Sequence, residues 1–249
     1  LSRRQRQMCI RDSMVIGACS GVGVIRGIIA SAPTIDDIVA TPTGFLSTVL
    51  DANGNQTATL VASGSNRRAV TIDEIPKNLQ HAFVAIEDER FYEHNGIDVT
   101  GIIRAGVKGV ASGFHFSEGA STITQQLLKN TVFTDWTSEG SNKIKKIKRK
   151  IQEQYLAVEI EKKINDKNVI LENYLNTINL GAGTYGVQAA ARKYFNKDVW
   201  DLNLSESATL AGITQNPTQF NPIEHPQENA KRRKEVLDHI CLLYTSDAA

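Results

Sequence analysis

Glu87 is the first residue of this 249-residue chain whose surroundings suit acid–base chemistry. Phe83 lies four positions before it and Phe91 four positions after it, so a continuous helix would place all three on one face. A carboxylate that is partly removed from water is a better proton acceptor, and Glu87 is therefore a candidate general base. The alternative for a glutamate in this setting is a buried structural ion pair.

Glu153 is the second such glutamate. Leu156, Ala157 and Ile160 follow it by three, four and seven positions, which predicts that Glu153 is buried against the core. Arg149 lies one helical turn before it and would be its cationic partner. Here too the sequence leaves a purely structural ion pair open.

Residues 119–130, GASTITQQLLKN, concentrate hydrogen-bonding groups at the predicted start of a helix. Thr122 and Gln125 have the spacing of a capping box, and Leu127 and Leu128 would face the core. A helix N-terminus offers free backbone N–H groups that suit a phosphate or pyrophosphate. The alternative is a capped amphipathic helix with a solvated polar face. The polar stripe consists of Thr122, Gln125, Gln126 and Lys129, with Ser121 just before it.

Six cations occupy the eight positions 143–150, KIKKIKRK, and the last two, Arg149 and Lys150, would extend an anion site. Such a run is usually a solvated face, and it could also attract anionic lipid. Nucleic acid is the least favoured partner, because the run lacks aromatic residues and the formal net charge of the chain is only +1. The three cysteines show no CxxC pair, so neither a disulfide framework nor a zinc site is expected.

The elements that must position these residues are mostly helices. Beta-branched runs flank Asn53-Gly54 and predict one β-hairpin over 45–62. Apolar residues then recur at spacings of three and four almost to the end of the chain. Helices are expected from Pro76 to about 92, from about 122, over 142–163, 166–179, 184–195 and 204–214, and within 228–240.

The N-terminal region reads as an anchor and a linker. Residues 14–30 are apolar and Gly-rich, but only 14–25 are uninterrupted, which favours a truncated membrane anchor over a buried or interfacial segment. Residues 31–69 would be linker and hairpin, and 70–240 the main domain. Residues 1–13 and 241–249 fit neither anchor nor domain and are expected to be non-native ends.

Four segments in order closely resemble motifs of the peptidoglycan glycosyltransferases, glycosyltransferase family 51, found in class A penicillin-binding proteins and in monofunctional transglycosylases. The preceding linker and hairpin resemble those of class A proteins from Gram-positive bacteria. The segments are AIEDERFYEHNGID (85–98), GASTITQQLLKN (119–130), RKIQEQYLAVEIE (149–161) and VILENYLNTINLG (169–181), with a weaker fifth at 204–222.

The resemblance implies a mostly α, lysozyme-like fold with a large head and a small membrane-facing jaw, preceded by the hairpin. Residues 101–118 would be jaw and mobile loop. It implies polymerisation of lipid II into β-1,4 glycan strands with inversion and release of undecaprenyl pyrophosphate, at the outer face of the plasma membrane. The implied partners are lipid II, the growing strand, membrane lipid, and other cell-wall synthesis and division proteins.

The resemblance also assigns roles to single residues. Glu87 would be the base that deprotonates the acceptor 4-hydroxyl, and Glu153 would act on the donor pyrophosphate. If the reaction uses a divalent cation, Mg²⁺ or Mn²⁺, Glu153 is the position implied to hold it; no organic cofactor is implied. Donor-site positions are Ser121, Thr122, Gln125, Gln126, Lys129, Arg149 and Lys150, while Asp88, Phe91, His94 and Gly96 would support the first motif.

Two departures and two alternatives qualify this assignment. Residues 131–142 lack the arginine that some relatives carry there, so Lys143 or Lys145 would replace it or phosphate would be bound differently. No SxxK, SxN or K[ST]G motif occurs, so this chain is expected to lack a transpeptidase domain. The alternatives are a lysozyme-like glycan-cleaving enzyme, which needs a protonated acid at the leaving oxygen, and a non-catalytic cell-wall scaffold.

Overall fold

The computed structural model of the chain describes residues 3–35, 47–60, 66–111, 121–134, 140 and 142–245. Within these ranges the protein is built from helices and one antiparallel two-stranded hairpin, as expected from the sequence. The strands are β1 (Ser47–Leu50) and β2 (Gln56–Leu60). The helices are α1 (Arg3–Ala30), α2 (Lys77–Glu87), α3 (Val99–Ala111), α4 (Ile123–Thr131), α5 (Lys143–Ile164), α6 (Lys167–Thr177), α7 (Val187–Phe195), α8 (Leu204–Ile213) and α9 (Pro226–Thr245).

The ends of several helices follow from their capping residues. Thr122 caps α4 by accepting the N–H of Gln125, while Asn142 and Asp166 cap α5 and α6 in the same way. Asn203 and Glu206 form a complete capping box at the start of α8. Each cap satisfies backbone N–H groups that the first turn of a helix leaves unpaired. The sequence positions of these caps therefore fix where the helices begin.

Helix α2 is shorter than the sequence predicts. It ends at Glu87, and turns occupy 89–96, so the helix expected to continue to about residue 92 is wrong at its C-terminal end. Phe91 consequently does not lie one turn beyond Glu87 on a shared helical face, although it is fully buried. The cause is tertiary: the side chain of Asp88 leaves the helix to bind the backbone of α4.

The core lies where α2, α8 and α9 pack together and where α4 packs against α5 and α6. Leu156, Ala157 and Ile160 turn the inner face of α5 towards this core. The more conspicuous apolar stripe of that helix faces outwards, since Ile144 and Ile147 are 80% and 60% exposed. Buried Glu161 links the three helices, because it accepts from Thr124 on α4 and from Lys167 Nζ on α6, the latter at 2.6 Å.

Helix α1 runs through the expected boundary at residue 13 as one continuous element. Met8–Ala30 is long and apolar enough to cross a membrane, with a mean hydropathy of 1.7, and none of that window is buried. The C-terminal end of α1 lies against α5, where Gln152 Nε2 donates to Ile28 O at 3.0 Å. These observations fit an anchor better than a buried segment.

Other expected segments lie partly outside the described residues. The expected jaw and loop 101–118 is helical up to Ala111, and 112–118 are not described. Linker residues 36–46 are also not described. In the segment that lacks an arginine, 135–139 and 141 are not described either. At the C-terminus α9 continues past residue 240, and the Tyr244 ring stacks on His81 with centroids 3.8 Å apart. That both ends are non-native stays a prediction.

Candidate active site

One cavity of about 410 Å³ brings the predicted site residues together. It opens between α4, the middle of α5 and the segments that follow α6 and α8. Both glutamates line it, although they lie 66 positions apart in the chain. The lining residues are Glu87, Ser121, Gln125, Gln126, Lys129, Asn130, Lys150, Glu153, Ile178, Asn179, Thr214, Gln215 and Pro217.

Glu87 is half-buried at the end of α2, and both of its carboxylate oxygens have a donor. Gln126 Nε2 donates to Oε2 at 2.7 Å, and the Thr214 hydroxyl donates to Oε1. Gln126 is itself oriented by Tyr174, whose hydroxyl lies 3.3 Å from Gln126 Oε1. The carboxylate is thus held at a fixed place in the cavity wall, ready to accept a proton from a group in the cavity.

Glu153 is 1% exposed, as its apolar neighbours predict. Its Oε1 is bound by Arg149 one helical turn earlier, and Lys150 Nζ lies 3.3 Å from its Oε2. Because both oxygens face cations, Glu153 is a buried ion-pair partner that positions the two basic residues. The ion pair that was left open by the sequence is therefore present, and it lies in the cavity wall.

Lys150 is the cation at the centre of this wall. Its Nζ donates to Ser121 Oγ at 2.7 Å and to Gln125 Oε1 at 2.8 Å, besides contacting Glu153. Burial lowers the pKa of Lys150, and the negative charge of Glu153 opposes that change. Two neutral acceptors and the Glu153 carboxylate thus hold the ammonium group at the cavity surface, where an anionic substrate group could reach it.

The first-motif residues form the support beneath the cavity. Asp88 accepts the N–H of Ile123 at 3.0 Å and contacts His94 Nε2 at 2.9 Å. It therefore occupies part of the α4 N-terminus that the sequence suggested for a phosphate. Gly96 O accepts from Thr122 Oγ1 at 2.8 Å and from Gln125 Nε2 at 3.3 Å.

The side chain of Gln125 therefore binds Gly96 and does not form the second hydrogen bond of the expected capping box. Thr122 and Gln125 are both buried, so the polar stripe of α4 is not a solvated face. Phe91 supports the same region from the core, with Lys167 Nζ 4.5 Å from its ring centroid. These residues shape the cleft and hold the groups that face it.

The basic run 143–150 divides into two parts. Residues 143–148 are exposed on the first turns of α5, as a solvated or lipid-facing run would be, whereas Arg149 and Lys150 are half-buried and Lys150 lines the cavity. Lys143 and Lys145 do not line the cavity, and whether either replaces the arginine that is absent from 131–142 stays a prediction. Among the described residues, the cations that line it are Lys129 and Lys150.

Two residues that help to hold Glu87 were not predicted from the sequence. Thr214 follows α8 and reaches Glu87 across 127 positions of chain, and no local pattern marks that contact. Tyr174 lies among the apolar residues of α6 and is fully buried, but its hydroxyl also orients Gln126. An aromatic residue with a polar tip in a buried stripe is the signal that could have identified it.

Comparison with known proteins identifies the family of the chain. A family profile described as Transglycosylase matches residues 53–241. The chain belongs to this transglycosylase family. The match begins within the hairpin and covers every residue that lines the cavity.

The relatives of this transglycosylase chain are penicillin-binding proteins. Penicillin-binding protein 1A of Clostridium perfringens is 44% identical over 231 residues, which are 89% of this chain and 32% of that protein. Penicillin-binding protein 1F of Bacillus subtilis is 44% identical over 191 residues, 77% of this chain and 25% of that protein. A crystal structure of penicillin-binding protein 1A from Haemophilus influenzae aligns with a TM-score of 0.40 and 22% identity, over 80% of this chain and 18% of that one.

The transglycosylase chain therefore spans about a quarter to a third of the length of the two relatives. The family assignment confirms the mostly helical fold with its hairpin and the membership that the four motifs predicted. The comparisons do not test the roles of single residues, which stay predictions.

Proposed function

We propose that this chain is a peptidoglycan glycosyltransferase that polymerises lipid II into β-1,4 glycan strands. The observation that carries the proposal is that a held carboxylate, Glu87, and a held ammonium group, Lys150, face the same cavity. A transfer from a diphosphate donor needs a base for the acceptor and positive charge for the leaving group. The family membership and the penicillin-binding relatives support the same reaction.

Glu87 is the proposed general base. It would remove the proton from the acceptor 4-hydroxyl as that oxygen attacks C1 of the donor sugar, with inversion at that carbon. Its two hydrogen bonds fix the direction from which the proton is taken, which favours a productive geometry over a freely rotating side chain.

Lys150 and Lys129 are proposed to receive the pyrophosphate. The departing oxygens carry negative charge without needing a proton, so positioned cations suffice to stabilise them. Glu153 and Arg149 would keep Lys150 in place. A glycosidase would instead need a protonated carboxylic acid at the leaving oxygen, and both oxygens of Glu153 are engaged by cations.

We propose that the described residues of the chain do not themselves hold a divalent cation. The described residues contain no group of three or more His, Cys, Asp or Glu side chains that could hold a metal. Glu153, the ligand that the resemblance implies, has both carboxylate oxygens paired with the cations Arg149 and Lys150. These side chains do not fit a protein-held Mg²⁺ or Mn²⁺ site.

We further propose that α1 anchors the chain in the plasma membrane with the catalytic domain on the extracellular face. The apolar helix Met8–Ala30 supports anchoring, and the exposed Ile144 and Ile147 beside lysines suit a lipid surface. In that place the domain would meet lipid II, the growing strand and other proteins of cell-wall synthesis and division.

The test is polymerisation of lipid II by the full chain in detergent with Mg²⁺. The wild type is expected to make long glycan strands, and Glu87→Gln is expected to make none. Glu93→Gln is the matched control, since Glu93 lies in the same motif but is exposed. Polymerisation by Glu87→Gln at the wild-type rate would refute the assignment of the base.

Two other results would favour the alternatives. Release of soluble muropeptides from preformed sacculi without lipid II would indicate a glycan-cleaving enzyme. Binding of lipid II without turnover, unchanged by Glu87→Gln, would indicate a scaffold.

A further inference from the structure

The hydroxyl of Thr214 lies between two acceptors but carries one hydrogen. Thr214 Oγ1 lies within hydrogen-bonding distance of Glu87 Oε1 and 2.8 Å from the backbone oxygen of Ala211. A hydroxyl donates once and accepts twice, so only one of these contacts can use its hydrogen at a time.

The protonation state of Glu87 decides which contact uses that hydrogen. When Glu87 is ionised its oxygens can only accept, so Thr214 must donate to it. When Glu87 carries a proton on Oε1, it can donate to Thr214 Oγ1, and the threonine hydrogen is free to turn to Ala211 O. The same two atoms stay hydrogen-bonded in both states, with the direction of the bond reversed.

Gln126 cannot reverse the direction of its hydrogen bond with Glu87 in this way. Its Nε2 can only donate to Glu87 Oε2, and its Oε1 is engaged by the Tyr174 hydroxyl. The two oxygens of the carboxylate therefore have unlike partners. Oε2 has a fixed donor, and Oε1 has a group that can either donate or accept.

We propose that Thr214 is a positioning residue for the catalytic base, which holds Glu87 in one place before and after it takes the acceptor proton by reversing a single hydrogen bond. This inference rests on the proposed function, because it requires Glu87 to gain a proton during the reaction. Thr214 sits immediately after α8, and its backbone N–H is bound to Ala211 O, so its side chain is presented from a fixed backbone.

The other charged and titratable groups around Glu87 are the same in variants of Thr214 as in the wild type. Across the main cavity these are Lys129 on α4 and Lys150 and Glu153 on α5. Tyr174 on α6 lies behind Gln126. A smaller cavity of about 110 Å³ on the other side of Glu87 adds Asp88, Glu89, Asp98, Arg104 and His239. A shift caused by Thr214→Val can therefore be assigned to the lost hydroxyl.

The experiment compares the pH dependence of kcat for lipid II polymerisation in Thr214→Val, Thr214→Ser and wild type. Valine keeps the shape and removes the hydroxyl, whereas serine keeps the hydroxyl. The bond to the ionised carboxylate is charge-assisted and therefore stronger than the reversed bond, so its loss should move the acidic limb of the Thr214→Val profile to higher pH, with kcat at neutral pH reduced about tenfold or more. KM should change little, and Thr214→Ser should behave as wild type.

Thr209→Val is the matched control. Thr209 lies one and a half turns earlier on α8, is buried, and donates its hydroxyl to Ser205 O within the helix. Its replacement should lower stability somewhat and leave the acidic limb in place. If Thr214→Val does not fold, Thr214→Ala is measured and judged by the same shift.

A second readout needs no turnover. The side-chain carboxyl carbon of Glu87 in ¹³C-labelled protein is titrated by NMR without substrate, and Thr214→Val should titrate at higher pH than wild type. That shift in a chain that makes no glycan would support the hydrogen bond while refuting the proposed function. An active chain whose Thr214→Val variant keeps both the wild-type profile and the wild-type titration would overturn the inference.

Discussion

Asp88 Oδ2 accepts the backbone N–H of Ile123 at 3.0 Å, so a carboxylate from the end of α2 occupies the N-terminus of α4. The contact joins two motifs through residues that lie 35 positions apart in the chain. A negative charge at a helix N-terminus is stabilising, and Asp88 is buried, so the interaction is little screened by solvent. The interaction holds the first turn of α4 against Asp88, which directly follows the proposed base Glu87.

We expect Asp88→Asn to lower the free energy of unfolding by about 1–2 kcal/mol, because the amide keeps an acceptor for Ile123 but loses the charge. Urea unfolding of the detergent-solubilised chain measures this. Asp73→Asn makes the same change of charge at an exposed position and should stay within about 0.5 kcal/mol of wild type. Equal losses in the two variants would mean that the charge at the α4 N-terminus contributes nothing.

Gly96 provides a second test of how the first motif packs. Its φ is +85°, and a Cβ there would lie 2.8 Å from Val158 N and closer still to Ala157 O on the backbone of α5. Gly96→Ala should therefore displace α5 and cost more than about 3 kcal/mol of stability, adding strain to the left-handed conformation.

Gly183→Ala measures the cost of the left-handed conformation without a steric clash. Gly183 has a φ of +72°, but nothing lies within 4 Å of its Cβ position, so only the conformational cost of about 1 kcal/mol remains. Thermal unfolding of both variants measures the difference. A Gly96→Ala protein as stable as Gly183→Ala would show that the close approach to α5 is unimportant.

Local sequence signals predicted most of the fold. Apolar spacings of three and four predicted the helices over 142–163 and 204–214, and Asn53-Gly54 predicted the hairpin. These features depend on residues a few positions apart, so periodicity and capping reveal them. The end of α2 was placed too late because its cause, the bond from Asp88 to Ile123, is not local.

The features of the candidate site also divide into those that the local sequence predicts and those that depend on distant contacts. Burial of Glu153 followed from its own helix, and the polar stripe of α4 was visible in its spacing. Thr214 could not be found from the sequence, since its partner Glu87 is 127 positions away. Which lysine meets the cavity also depended on the rotation of α5, which places Lys150 inwards and Lys145 outwards.

Gln126 and Tyr174 are expected to act on Glu87 in series. Gln126→Met keeps the length of the side chain but removes the donor to Glu87, and kcat should fall about tenfold or more. Tyr174→Phe removes the hydroxyl that orients Gln126 and should reduce kcat by a few-fold, about twofold to fivefold.

The double variant Gln126→Met and Tyr174→Phe tests whether Tyr174 acts through Gln126. If Tyr174 acts through Gln126, then Tyr174→Phe should have little further effect on kcat once Gln126 is methionine. Kinetics of lipid II polymerisation for the four proteins give the coupling. Fully additive losses would mean that Tyr174 influences catalysis by another route.

Lys150 should set the basic limb of the pH–activity profile. Burial lowers the pKa of Lys150, and only the protonated amine can stabilise the departing pyrophosphate. Activity is therefore present below this pKa and is lost as the pH rises through it, earlier than for a lysine in water. Lys150→Arg keeps the charge to much higher pH, so its basic limb should move upwards, whereas Lys150→Met should lose about 100-fold in kcat/KM.

Lys148→Arg is the control, because Lys148 lies on the same helix but is exposed. It should leave the basic limb where it is in the wild type. Polymerisation rates between neutral and alkaline pH, with thermal unfolding of each variant at the same pH values, separate catalysis from stability. A basic limb that stays in place in a folded, active Lys150→Arg protein would show that another group titrates there, and the leaving-group role would then pass to Lys129, the other cation that lines the described cavity.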